Sequence, residues 1–144
     1  MTAGAKWLVA GAMLSFAAAV LHIGCIVFGP EWFRFFGAPE PLIRSYEQGD
    51  KTLLWMTVGI TAVLSLWSAY ALSGAGIIAR LPLLRTALVL ITAIYLARGA
   101  LLIPTIILVP YPEGAFDYWS SAIVLVYGLV HLIGTVKSWR SLSL

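Results

Sequence analysis

Four stretches of the chain, residues 7–28, 53–72, 83–109 and 118–136, are each long and apolar enough to cross the hydrocarbon of a bilayer. That layer is about 30 Å thick, which an α-helix spans in roughly 20 residues. It holds no water to satisfy backbone N–H and C=O groups, so each crossing segment is expected to be a helix. Composition agrees. The 144 residues are 61% hydrophobic and 10% charged, with a mean hydropathy of +0.96, whereas a soluble domain carries about 25% charged residues. The expected fold is therefore all-α: a four-helix transmembrane bundle forming one domain over residues 1–144, with a short interfacial helical loop, 29–52, between the first two spans. A basic residue, Lys6, precedes the first run, but that run exceeds the apolar core of about 7 to 15 residues typical of a signal peptide. It is read as a retained helix.

The distribution of charge sets an expected orientation. Lys6, Arg80, Arg85, Lys137 and Arg140 flank the spans on one side with no acids. The other connections hold Arg34, Arg44 and Lys51 together with all six acids, Glu31, Glu40, Glu47, Asp50, Glu113 and Asp117. Basic residues gather on cytoplasmic flanks, so both termini are expected to be cytoplasmic. Within the long connection, Pro30, Pro39 and Pro41 break the chain, and Trp32, Phe33, Phe35 and Phe36 are too apolar to lie in water. Short surface helices are expected over 31–36 and 42–48, with Asp50 as N-cap of the second span. The connection SGAGIIARLP, 73–82, is expected to be a tight turn, with Gly74 and Gly76 ending one helix and Pro82 opening the next near its first position. Spans two and three then form an antiparallel hairpin.

Each span carries small or polar residues at spacings of three and four, which mark a single helix face. These faces read Gly11, Ser15, Ala18, His22, Cys25 and Gly29; Thr57, Thr61, Ser65 and Ser68; Thr92, Tyr95, Arg98 or Gly99, Leu102 and Thr105; and Ser120, Val124, Tyr127 or Gly128, His131, Thr135 and Ser138. Helix association in lipid relies on close backbone approach at small residues, so these faces are expected to converge.

Arg98 is the most conspicuous candidate. A central arginine costs about +2.5 to +3.5 kcal/mol to insert, and each central Leu or Ile returns roughly 0.3 to 0.6 kcal/mol, so the third span carries it unaided. The residue lies in the outer half of its helix, below the acidic loop and beside Pro104, which is expected to kink the helix. Two readings follow: an ion pair with Glu47, Asp50, Glu31 or Asp117 that anchors the loop, or an outward-facing pocket in which Arg98, Tyr95 and His22, closed by Glu47 and Asp50, bind a lipid or other anionic amphiphile.

His22 and His131 are the only histidines, and both fall on the inward faces. A bis-histidine haem b site is the corresponding alternative. The two differ in expected depth by roughly 10 Å at 1.5 Å per residue, which weighs against it. Otherwise no cofactor is expected. One cysteine excludes an internal disulfide and a multi-cysteine metal cluster, and no metal site is expected. Phosphate loops, nucleophile elbows and nucleic-acid motifs are missing, so there is no positive case for an enzyme or a nucleic-acid partner.

The chain resembles a group of small bacterial inner-membrane proteins, uncharacterised in function and predicted to have four helices. The resemblance runs through GPEWFRFFGAPE (29–40), YALSGAGIIARLPLLRTALV (70–89), YLARGALLIP (95–104) and YGLVHLIGT (127–135). It implies a bacterial inner-membrane setting and carries over no activity and no functional residues. The leading expectation is a non-enzymatic protein of the membrane that binds a lipid or amphiphile. The alternatives are a structural or accessory subunit working through helix faces against a membrane partner, and a small haem electron carrier or an oligomeric transporter.

Overall fold

A computed structural model describes residues 1–111 and 115–143. Glu113, one of the acids assigned to the outer connections, lies outside the described residues. The chain forms α1 (Ala3–Phe28), α2 (Pro30–Phe35), α3 (Glu40–Glu47), α4 (Thr52–Gly74), α5 (Leu84–Ala100), α6 (Leu102–Leu108) and α7 (Ala115–Lys137), then a short 3₁₀ turn, Ser141–Ser143. The described residues hold helices and no strand. Four spans, Ala3–Phe28, Thr52–Gly74, Leu84–Leu108 and Ala115–Lys137, have the length and apolar character to cross a membrane.

Local chemistry sets the ends. α1 starts earlier than its apolar run because Thr2 caps it: Ala5 N–H donates to Thr2 Oγ1 at 3.2 Å. At α4 the first carbonyl of the ladder is that of Lys51, accepting from Trp55 N–H, so Asp50 stands one residue outside the cap position expected for it. Its carboxylate still takes the Thr52 N–H at 3.0 Å and the Thr52 hydroxyl at 2.9 Å. These bonds hold the Asp50 carboxyl below its ordinary range, the Thr52 N–H foremost.

Pro82 does not open α5. Leu83 intervenes in a left-handed conformation, φ +53°, and the helix begins at Leu84. Ser73 closes this connection, its hydroxyl donating to Ala79 O at 3.1 Å and accepting from Leu81 N–H at 2.9 Å. The third span is divided at Leu101. Pro104 has no N–H for the carbonyl of Ala100, and Leu101 N–H turns to Arg98 O at 3.4 Å.

The chain divides into two compact units, Met1–Leu14 with Trp67–Leu144, and Ser15–Leu66. In the first, α5 and α7 lock through reciprocal notches. A Cβ on Gly99 would stand 2.5 Å from Leu125 Cα, and one on Gly128 2.9 Å from Leu96 N. Leu8 of α1 is fully buried against Gly134, and Ser68 Oγ donates to Ala12 O at 2.9 Å. The expected hairpin is present: Gly74 meets Leu88 and Trp67 meets Tyr95, so α4 and α5 run antiparallel.

The second unit has its own small core of Cys25, Phe33, Ile43 and Leu53, with Trp32, Phe36, Leu42 and Tyr46 packed on it. Gly29, φ +79°, ends α1 and turns the chain into α2. Trp32 then folds back onto Gly24, where a Cβ would lie 2.6 Å from its ring. One expected inward residue faces out: Ser65 is exposed, and Leu64 takes its place in the core. The apolar inward positions Leu53, Leu64 and Ala71 continue the face that Thr57 and Ser68 begin.

Candidate functional site

Arg98 lies on the exposed side of α5, one turn beyond the buried Tyr95. Its guanidinium reaches across to α7, donating to Ser121 Oγ at 2.8 Å and to Ser120 Oγ at 3.3 Å. Ser121 is buried and is the sixth residue beyond Ala115, which puts the guanidinium about 9 Å inside the start of α7 at 1.5 Å per residue. Among the described residues no carboxylate lies within ion-pair distance of Arg98. Ser120 was visible on the expected inward face, but Ser121 was not. Its only signal is a spacing of seven to Gly128, which continues to Thr135.

Of the four carboxylates expected to meet Arg98, Glu31, Glu47 and Asp50 are engaged elsewhere, and Asp117 lies outside ion-pair distance of it. Glu47 accepts from Arg34 at 2.9 Å, and Glu40 and Glu31 lie 3.3 and 3.6 Å from the same guanidinium. Arg34 thus ties α2 to α3, a role the sequence reading did not assign. Its hydrogen bond holds the Glu40 carboxyl below the usual carboxylate range, and Glu40 and then Glu47 raise the Arg34 guanidinium in return. Asp50 holds the start of α4 as described above.

Below Arg98, Tyr95 centres an aromatic group. Its ring lies 4.9 Å from Trp67, 5.6 Å from Tyr127 and 5.0 Å from the imidazole of His131 between centroids. Trp67 carries no sequence pattern that marks it as a partner. His131 is fully buried, and its Nδ1–H donates to Tyr127 O at 2.9 Å. The imidazole presses on α1, where a Cβ at Gly11 would stand 2.8 Å from Cε1 and 3.0 Å from Nε2. Its Nε2 is buried and has no hydrogen-bond partner among the described residues.

In the second unit His22 donates Nδ1–H to Ala18 O at 2.7 Å. It lines a cavity of about 240 Å³ with Cys25, Phe33, Leu42, Met56 and Thr57. The five residues of the expected ligand cluster are thus divided: Tyr95 and Arg98 share a face of α5 in the first unit, and His22, Glu47 and Asp50 belong to the second. Among the described residues no three His, Cys, Asp or Glu side chains form a metal-binding group.

Chemically, the Arg98 arrangement is a cation held beside two hydroxyls within an apolar span. It suits a phosphate or carboxylate oxygen carried on an apolar molecule. Comparisons with protein-family models, with curated proteins and with solved structures give no match.

Proposed function

We propose that the chain is an integral protein of a bacterial inner membrane, both termini cytoplasmic, that binds an anionic lipid or other anionic amphiphile at Arg98, Ser120 and Ser121. One observation carries the reading: inside an apolar span, a guanidinium is held by two neutral hydroxyls and pairs with no carboxylate among the described residues. Among the described residues its charge is oriented but not neutralised, which favours an anion brought by the surroundings. The basic flanks of the termini and the acidic outer connections support the orientation. In its wider form the reading extends to His22, Glu47 and Asp50. Glu47 and Asp50 already serve Arg34 and Thr52, so the wider form needs them to exchange partners when the ligand arrives.

The test compares lipid co-purified with the wild type and with Arg98→Gln. Quantitative mass spectrometry should show the substitution removing about one bound anionic lipid per chain while helix content stays unchanged. Equal lipid in the two proteins overturns the proposal. A single stoichiometric membrane partner in place of lipid points to an accessory subunit, and a haem spectrum after haem supplementation points to the electron-carrier reading.

A further inference from the structure

The end of the first unit opposite Arg98 holds a cationic cavity. Arg80 and Arg85 both line an opening of about 560 Å³ beside the start of α5, together with Leu83, Thr86 and Ser143. None of its lining residues is acidic. Each guanidinium is held in place by a neutral partner. Arg85 lies flat on the Trp139 ring, its carbon 3.5 Å from the ring centroid. Arg80 donates to the backbone carbonyls of Ser141 and Leu142. Both arms are thereby fixed, and among the described residues neither guanidinium pairs with a carboxylate.

Arg80 also lines a neighbouring cavity of about 430 Å³ with Thr2, Ser73 and Ser138. The Ser138 hydroxyl there is 4% exposed and has no hydrogen-bond partner among the described residues. Arg85 Nε is likewise buried and unpartnered. The first turn of α5 carries no acid and no side-chain cap, so its N–H groups add partial positive charge to the same opening. Apolar side chains lie beside it: Leu83, in a left-handed conformation, is 78% exposed, and Trp139, under the Arg85 guanidinium, is also exposed.

From this juxtaposition of two guanidiniums pinned by neutral partners beside exposed apolar side chains, we infer a second binding site, for the phosphate of an anionic phospholipid headgroup whose acyl chains lie along Leu83 and Trp139. Two arginine forks match the oxygens of one phosphate. The apolar side chains select a lipid over the free ion.

The site is read in full-length protein carrying Arg98→Gln, so that the outer site does not contribute. Short-chain phosphatidylglycerol is titrated in neutral detergent, with phosphatidylcholine of equal chain length and inorganic phosphate as comparisons. Phosphatidylglycerol should bind saturably, phosphatidylcholine should not, and Arg85→Gln should weaken binding by about tenfold or more. Arg85→Gln leaves the tail contacts of Arg80 untouched, so it decides the matter even where Arg80→Gln loosens the last turn. Arg85→Lys should recover only part of the affinity. Equal binding of the two lipids, or an unchanged affinity in Arg85→Gln, overturns the site. Inorganic phosphate binding as tightly as the lipid keeps the phosphate chemistry and overturns the lipid as its source.

Discussion

At Gly99 a hydrogen occupies the place where any other residue carries a Cβ, and that place is 2.5 Å from Leu125 Cα and 2.6 Å from its N. Backbone atoms cannot yield as a side chain end can, so Gly99→Ala forces α5 and α7 apart and strains the support on which Arg98 reaches its serines. Overpacking of this kind costs about 1–3 kcal/mol. Gly59 is the natural control: a Cβ there meets nothing within 4 Å. Gly59→Ala should leave stability unchanged or raise it by up to about 1 kcal/mol, since alanine is the better helix former. Unfolding both variants in mixed micelles checks the contrast, and equal loss from the two would refute the notch. The same residue scale explains the hydroxyls. Thr57, Thr61, Ser65, Thr92 and Thr105 each donate to the carbonyl four residues earlier at 2.7–2.8 Å, a bond within one helix. Ser68 donates to Ala12 and so joins two helices. Polar stripes in this chain are mostly self-satisfied, and glycine rather than serine sets how closely α5 and α7 approach.

Among the elements, α2 and α3 depend most on charge. Arg34 gathers Glu31, Glu40 and Glu47 around one guanidinium, while Phe33, Ile43 and Tyr46 supply the apolar contact beneath. Because the folded segment holds the Glu40 carboxyl below its ordinary value of 4.5, the unfolded segment binds the proton more readily. The contribution of the pair is then complete above that ordinary value and is lost as pH falls through the depressed one. The protection factors for hydrogen exchange over 30–48, corrected for intrinsic rates, should be constant from neutral pH down to about 4.5 and should fall as the pH drops further. Arg34→Gln leaves three neighbouring carboxylates without their shared cation and should loosen the segment already at neutral pH. An exchange profile unmoved by both acid and substitution would mean that the aromatic contacts alone hold it. Short helices over this stretch are legible in the sequence from its prolines and aromatics, but the hub is not. Arg34 shows only a spacing of three to Glu31, and its contacts with Glu40 and Glu47 depend on how α3 folds back after Gly37 and Pro39.

For the molecule as a whole, the four spans are legible because bilayer thickness imposes a length and an apolar content that no other reading of those runs satisfies. The start at Ala3, the break at Leu101 and the delayed start of α5 are less so, since they turn on single groups: a Thr2 hydroxyl, a missing N–H at Pro104 and a left-handed Leu83. Arg98 is legible as a lone charge within a span, yet its partners are not, because Asp117 and Ser121 lie one helical turn apart on α7 and a shift by that turn decides whether a serine or an acid meets it. What the charge asymmetry adds is an orientation, and that is open to direct test. Only α4 separates Gln48 from Ile77, and the third and fourth spans separate Ile77 from Ser143. Gln48 and Ser143 are exposed, and so is Ile77, whereas the native Cys25 is 5% exposed. In a Cys25→Ala background, an impermeant maleimide should label Gln48→Cys on intact spheroplasts. Ile77→Cys and Ser143→Cys should react only after the membrane is opened. The reverse pattern inverts the orientation and puts Arg98 in the cytoplasmic leaflet. Labelling of Gln48→Cys and Ile77→Cys from one side would mean that α4 does not cross.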